Sequence, residues 1–105
     1  MAETIPPVME ADLEAALLNP TFSTYLYIGE ETDLGWDNAL TAFSLIPRLR
    51  IYLVKDNSQI KKWIGAKRPA AVVFGWGAKF DRLLNQSEAD DLKTVIDAIN
   101  DARKP

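Results

Sequence analysis

The chain of 105 residues contains no cysteine and no histidine. It therefore has no thiol to form a disulfide or act as a nucleophile, and no imidazole to bind zinc or serve as a general base. Thiol–disulfide exchange and catalysis by a Ser-His-Asp triad are both excluded. We expect a protein that is not an enzyme and that holds no metal and no cofactor.

Long apolar runs are also missing. No stretch approaches the ~18 residues of a membrane-spanning helix, and the first residues have neither the basic start nor the apolar centre of a signal peptide. The composition, 48% hydrophobic and 26% charged, is typical of a globular domain. We expect one cytoplasmic domain over residues 1–105 that does not bind membranes and is frayed at 1–7 and 102–105. The sequence contains no signal for an oligomeric state.

Basic residues are absent from the first part of the chain. Residues 1–47 carry eight acids and no base, whereas residues 48–68 carry seven bases and one acid. This partition is typical of solvated faces that pair within the fold, and it would also suit a surface that steers a charged partner. The net charge of −3 argues against nucleic acid as that partner, so we expect a protein partner.

Apolar spacing predicts the order helix, strand, helix, strand, helix, strand, strand, helix. The first helix is predicted at 8–18, the last at 87–99, and the strands at 21–28, 51–54, 70–74 and 79–84. Two parallel strands joined by a helix, followed by a hairpin and a closing helix, make an α/β fold. We expect three layers, with a mixed four-stranded central sheet and helices on both of its faces.

Polar residues and prolines mark the helix ends. Thr32 or Asp33 can cap the second helix, and Pro47 ends it. Its apolar stripe is predicted to comprise Trp36, Ala39, Leu40, Phe43 and Ile46. The third helix, capped from within 56–58, is predicted to end near Gly65 and to bury Ile60, Trp63 and Ile64. Ser87 and Asp90 have a spacing similar to that of a capping box at the start of the last helix.

The segment 68–84 predicts a hairpin. Pro69 opens an apolar run at 70–74, where its missing N–H leaves no ladder bond unmade. The Gly-Trp-Gly sequence at 75–77 supplies glycines for a tight turn, and residues 79–84 alternate polar and apolar side chains. Trp76 has little neighbouring chain to bury it, so we expect an exposed aromatic contact residue at the hairpin tip.

This order, with a proline before the hairpin, resembles the thioredoxin family over nearly the whole chain. Pro-Ala-Ala-Val-Val-Phe-Gly-Trp-Gly-Ala at 69–78 is similar to the family's segment that runs from its cis-proline through a buried strand into a turn. The resemblance implies a thioredoxin-like three-layer sandwich and a cis bond before Pro69. The family's active-site loop carries Trp-Cys-Gly-Pro-Cys, but the equivalent loop here reads Gly-Glu-Glu-Thr-Asp-Leu-Gly-Trp at 29–36. The resemblance therefore implies a redox-inactive member.

The resemblance also implies that a partner binds at the former active-site edge. Arg68 could hold a carboxylate of an extended protein segment, or it could pair with the acids of the 29–36 loop in the free protein. Trp36 suits the core better than a contact surface. The candidate partner-binding residues are Arg68, Pro69, Ala70, Glu30, Glu31, Thr32, Asp33 and Trp36 at this edge, and Trp76 at the opposite pole.

Three classes of function fit these features. The first is a non-catalytic interaction module or an assembly chaperone, since the run at 69–74 and the closing helix are similar to cysteine-poor thioredoxin-like proteins that assist hydrogenase maturation. The second is a structural subunit of a larger assembly, such as a viral one. The third is a thiol-independent enzyme that uses carboxylates or a lysine, although no such groups are positioned as a pair.

Overall fold

The computed structural model describes residues 19–55 and 60–104. The first predicted helix, the frayed start at 1–7, the caps at 56–58, the side chain of Trp63 and the last residue lie outside the described part. The elements, numbered within it, are β1 Ser23–Ile28, α1 Leu34–Leu45, β2 Leu49–Val54, α2 Lys61–Ile64, β3 Ala71–Phe74, β4 Phe80–Leu84, α3 Gln86–Ala89 and α4 Leu92–Ala102. A 3₁₀ turn, Trp76–Ala78, connects β3 to β4.

The four strands form one mixed sheet in the order β2-β1-β3-β4. β1 and β2 run parallel, and β3 is antiparallel to both β1 and β4. The hairpin turn contains Gly77 at a φ of 63°, a conformation that glycine adopts without a steric penalty. The predicted α/β class with a mixed four-stranded sheet is confirmed.

Alternating side chains divide the strands between two cores, because successive residues of a strand point to opposite faces. Tyr25 and Tyr27 of β1 pack in a core with α1, α3 and α4. Leu26, between them, belongs to a second core that contains Ile60 and Ile64 from the α2 region. The described helices thus cover both faces of the sheet, as predicted.

The apolar stripe predicted for α1 is wrong at one position. Leu40 is 40% exposed, whereas Asn38 is buried. The Asn38 amide donates a hydrogen bond from Nδ2 to the Ala89 carbonyl oxygen at 3.1 Å, which satisfies the polar group in the core. Small residues on this side, including Ala42, let the helix pack closely, so the buried face is rotated away from Leu40.

The predicted closing helix at 87–99 is two helices. Asn85, rather than Ser87, begins α3: its side chain accepts from the Glu88 amide at 2.9 Å, and the Glu88 carboxylate accepts from the Asn85 amide at 3.0 Å. Asp91 caps α4 by accepting from the Thr94 amide at 3.2 Å. The predicted single helix is interrupted before Asp91, because Asn85 and Asp91 each cap the start of a separate helix.

Candidate functional site

The 29–33 loop and Pro69 meet at one edge of the sheet, where β1 and β2 end and β3 begins. The Ile28 amide donates to the Ala70 carbonyl at 2.8 Å, and the Ala70 amide donates to the Leu84 carbonyl at 2.8 Å. The ends of β1 and β4 are therefore bonded to the residue that follows Pro69. The structure brings the two predicted segments together, and we call residues 30–33 and 68–70 the proline edge.

The cis bond expected before Pro69 is wrong. All peptide bonds within residues 19–55 and 60–104 are trans. Ala70 is already hydrogen-bonded to its neighbours on both sides, so the chain enters β3 in an extended course and needs no tight turn at the proline. A trans bond is the ordinary state of an X-Pro peptide in an extended segment.

Two of the three acids at 30–33, Asp33 and Glu30, are engaged by residues other than Arg68. Asp33 accepts a hydrogen bond from the Tyr27 hydroxyl at 2.9 Å and another from the Glu30 amide at 3.1 Å. The Glu30 carboxylate forms a 3.2 Å ion pair with Lys55, which follows β2. Within the described residues, the pairing that the sequence left open between Arg68 and these acids is not formed. Lys55 is the nearer cation because β2 lies directly beside β1 in the sheet.

The other predicted contact residues of this edge differ in exposure. Trp36 is 8% exposed and packs in the core, which agrees with the interpretation that the sequence favoured. Ala70 is also buried, whereas Glu31 and Thr32 are exposed. A partner at the proline edge would therefore contact the loop, Arg68 and Pro69 rather than the Trp36 indole.

A hydrogen-bond network connects the loop to α3. Gln86 donates from Nε2 to the Tyr27 hydroxyl oxygen at 3.3 Å, and that hydroxyl donates to Asp33. Burial first, and then the Asp33 carboxylate, raise the pKa of the Tyr27 hydroxyl, although the Gln86 bond acts in the opposite direction. The neutral hydroxyl donates to Asp33 in the loop and accepts from Gln86 in α3, and it thereby holds the loop against α3.

Tyr25 and Tyr27 give a matched test of these contacts. The Tyr25 hydroxyl is buried without a hydrogen-bond partner among the described residues, and burial raises its pKa far above the ordinary value. Tyr25→Phe should raise the free energy of unfolding by about 1 kcal/mol, and Tyr27→Phe should lower it by about 1 kcal/mol. Urea denaturation of both variants measures the two signs. A destabilised Tyr25→Phe protein would show that this hydroxyl has a partner.

A surface groove of about 320 Å³ lies on the β4 side of Pro69. Arg68 stands at its rim as an exposed side chain, and within residues 19–55 and 60–104 it makes no ion pair. Of the residues that line this groove, only Arg68 and Pro69 are predicted from the sequence as site residues. The Asn-x-x-Glu spacing at 85–88 is typical of a capping box and could have indicated the helix start that forms one wall of the groove. The groove is lined by Lys67, Arg68, Pro69, Leu83, Leu84, Asn85 and Glu88.

At the other end of β3, Trp76 is exposed but not isolated. The side chain is 37% exposed, and its Nε1 donates to the Arg103 carbonyl oxygen at 3.2 Å. The Arg103 guanidinium carbon lies 4.5 Å from the indole centroid, and that of Arg48 lies 5.9 Å away. We call Arg48, Trp76 and Arg103 the hairpin-tip cluster.

Two residues of the segment predicted to fray, Ala102 and Arg103, make contacts with the rest of the fold. Ala102 ends α4 and is buried. The Arg103 guanidinium donates from Nε to the Ser23 hydroxyl at 2.8 Å and from Nη2 to the Pro47 carbonyl at 2.6 Å. Burial first, and then the charge of Arg48, lower the pKa of this guanidinium. Arg103 ties the end of α4 to the starts of β1 and β2.

No protein-family model, curated protein or solved structure matches this chain. In the part of the chain that the structure describes, no group of three or more Asp, Glu, His or Cys side chains is placed to hold a metal ion. No helix in that part is long and apolar enough to cross a membrane. The candidate sites are therefore judged on their own geometry.

Proposed function

We propose that this chain is a non-catalytic, thioredoxin-like interaction module that binds an extended protein segment at the proline edge. The observation that carries the proposal is the exposed Arg68, which has no ion pair in the described structure and stands at the rim of a groove. An arginine fork binds carboxylates through two parallel hydrogen bonds. The parallel strand pair followed by an antiparallel hairpin supports the thioredoxin-like interpretation.

The groove indicates what kind of segment would bind. Leu83 supplies an apolar surface, and Lys67 and Arg68 line the groove as exposed cations. The Glu88 carboxylate is already used in the α3 cap. On the other side of Pro69, the exposed Glu31 would repel an acidic segment. We infer a segment that places an apolar side chain and a carboxylate on the β4 side of Pro69.

Displayed peptides selected on the immobilised protein provide the ligand for a test. Arg68→Glu should weaken the binding of a selected acidic peptide by about tenfold or more, because the substitution removes the fork and adds a repulsion. The melting temperature should change little, since substitutions of exposed side chains alter stability by at most about 0.5 kcal/mol. Isothermal titration calorimetry measures the affinity.

Lys79→Glu is the matched control. It makes the same charge reversal at an exposed residue, but at the opposite end of the hairpin. Its effect on binding should stay within about twofold, because the two charges are separated by more than a Debye length of about 8–10 Å. Equal affinities of the Arg68→Glu protein and the wild type would rule out the proline edge as the binding surface.

A further inference from the structure

The hairpin-tip cluster holds two positive charges within 5.9 Å of the Trp76 ring centroid, and they are close enough that, after burial, the charge of Arg48 lowers the pKa of Arg103. Both guanidiniums of the cluster lie over the same indole, at 5.9 Å for Arg48 and 4.5 Å for Arg103. Asp101, the acid closest in sequence to Arg103, forms ion pairs with Arg82 at 3.6 Å and with Lys104 at 3.0 Å. No carboxylate of the described residues pairs with either arginine of the cluster.

The backbone of Arg48 adopts an unfavourable conformation. Its φ is 55°, and it is the one described residue other than glycine with a positive φ. This conformation is unfavourable for a residue with a long side chain, and asparagine or glycine adopts it more readily. The Arg48 carbonyl accepts the Ser23 amide at 3.1 Å, so the strained backbone is held by the start of β1. Backbone strain of this kind tends to occur at functional sites.

Among the described residues, both guanidiniums have hydrogen-bond donors that no other residue uses. Arg103 uses Nε for Ser23 and one nitrogen, Nη2, for Pro47, so its Nη1 has no hydrogen-bond partner in the described structure. Arg48 donates no hydrogen bond from its side chain to any described residue, although a guanidinium carries five N–H groups. The stacked indole and the two bonds of Arg103 fix one of these cations in position before any ligand binds.

We propose that Arg48 and Arg103 bind a dianionic phosphate group beside the Trp76 indole. A phosphate monoester carries about −1.5 to −2 charges at neutral pH, which matches two guanidiniums, whereas a single carboxylate would leave one of them unpaired. The planar arginine fork suits phosphate oxygens. The site lies at the opposite end of β3 from the proline edge and does not depend on the function proposed for that edge.

Inorganic phosphate, at a pH where it is mainly a dianion and at constant ionic strength, is the probe. Binding is followed through the indole N–H signal of Trp76 in NMR spectra, which is assigned among the three tryptophans by its loss in Trp76→Phe. The wild type should show a saturable shift. Arg48→Asn should weaken binding by about tenfold or more, because asparagine tolerates the positive φ and its short amide side chain carries no positive charge.

Lys93→Gln is the charge-matched control, since it removes one exposed cation at the other end of α4 and should bind phosphate like the wild type. Methyl phosphate, a dianion, should bind at least as well as inorganic phosphate if the natural ligand is an ester, and less well if it is the free ion. Dimethyl phosphate, a monoanion, should bind more weakly than both.

Three results would overturn the proposal. The first is a shift that does not saturate or that chloride reproduces, which indicates general screening. The second is an unchanged affinity in an Arg48→Asn protein whose amide spectrum shows a native fold. The third is equal binding of dimethyl and methyl phosphate, which contradicts the charge match. If Arg48→Asn fails to fold, Arg48→Gly replaces it, because glycine accepts the same backbone conformation without strain.

Discussion

Gly75→Ala is expected to lower the free energy of unfolding by about 2–3 kcal/mol. A Cβ at this position would overlap the carbonyl oxygen of Ala102, a backbone atom at the end of α4. The Gly75 φ of −80° lies on the side of the φ map that side-chain-bearing residues occupy. The glycine is therefore required by the close approach of another segment, and not by its own dihedral angle.

Neither partner of this contact can move away easily. The Gly75 amide donates to the Lys79 carbonyl at 2.7 Å inside the hairpin. On the other side, Ala102 is followed by Arg103, whose guanidinium is bonded to Ser23 and Pro47. The overlap must therefore be relieved by shifting the hairpin or the end of α4, and both shifts break existing hydrogen bonds.

Urea denaturation measures the loss as a lower midpoint at an unchanged slope. Gly65→Ala separates the two effects that a glycine substitution can have. Gly65 has a φ of 62°, and no described atom lies within 4 Å of the place that an alanine Cβ would take. Its ψ is −126°, which lies outside the left-handed helical region and in a conformation that glycine adopts far more readily than other residues. Alanine there should cost about 1–3 kcal/mol of backbone strain, without any steric overlap. A Gly75→Ala protein with the same urea midpoint as the wild type would show that the contact with Ala102 is looser than the structure describes.

Arg103→Met should lower the free energy of unfolding by about 2–4 kcal/mol, because it removes two hydrogen bonds of a charged group and leaves the Ser23 and Pro47 oxygens without this donor. The stacking on Trp76 adds about 0.5–1 kcal/mol for a partly exposed pair. Methionine keeps an apolar stem of similar length, so little of the loss comes from packing. The melting temperature should fall by about 10 °C or more.

Two controls isolate the role of the guanidinium. Lys104→Met removes the neighbouring cation and its 3.0 Å pair with Asp101, an exposed contact that contributes at most about 1 kcal/mol. Arg103→Lys keeps the charge but not the planar fork, and most of the loss should remain. A fully stable Arg103→Lys protein would show that charge alone holds the end of α4. The measurements use phosphate-free buffer, since a bound anion would stabilise the native state.

The sequence by itself determined the features that depend on neighbouring residues. The apolar run at 70–74 with its glycine turn specified a hairpin, and the apolar periods on either side specified the element order from which the mixed sheet followed. The absence of cysteine and histidine determined which chemistry the chain lacks, whatever its fold. These inferences hold because hydrophobic spacing and turn residues act locally along the chain.

The tertiary structure alone decided the contacts between distant segments. It placed Asn38 rather than Leu40 in the core, because the Ala89 carbonyl offers an acceptor there. It paired Glu30 with Lys55 and left Arg68 at a groove. It anchored Arg103 to Ser23 at the start of β1 and to Pro47 before β2, both more than fifty residues away in sequence. A long polar side chain forms a hydrogen bond with whichever group the packing of strands and helices brings within about 3 Å of it. The distance between two segments that are far apart in sequence cannot be deduced from the local sequence pattern of either one.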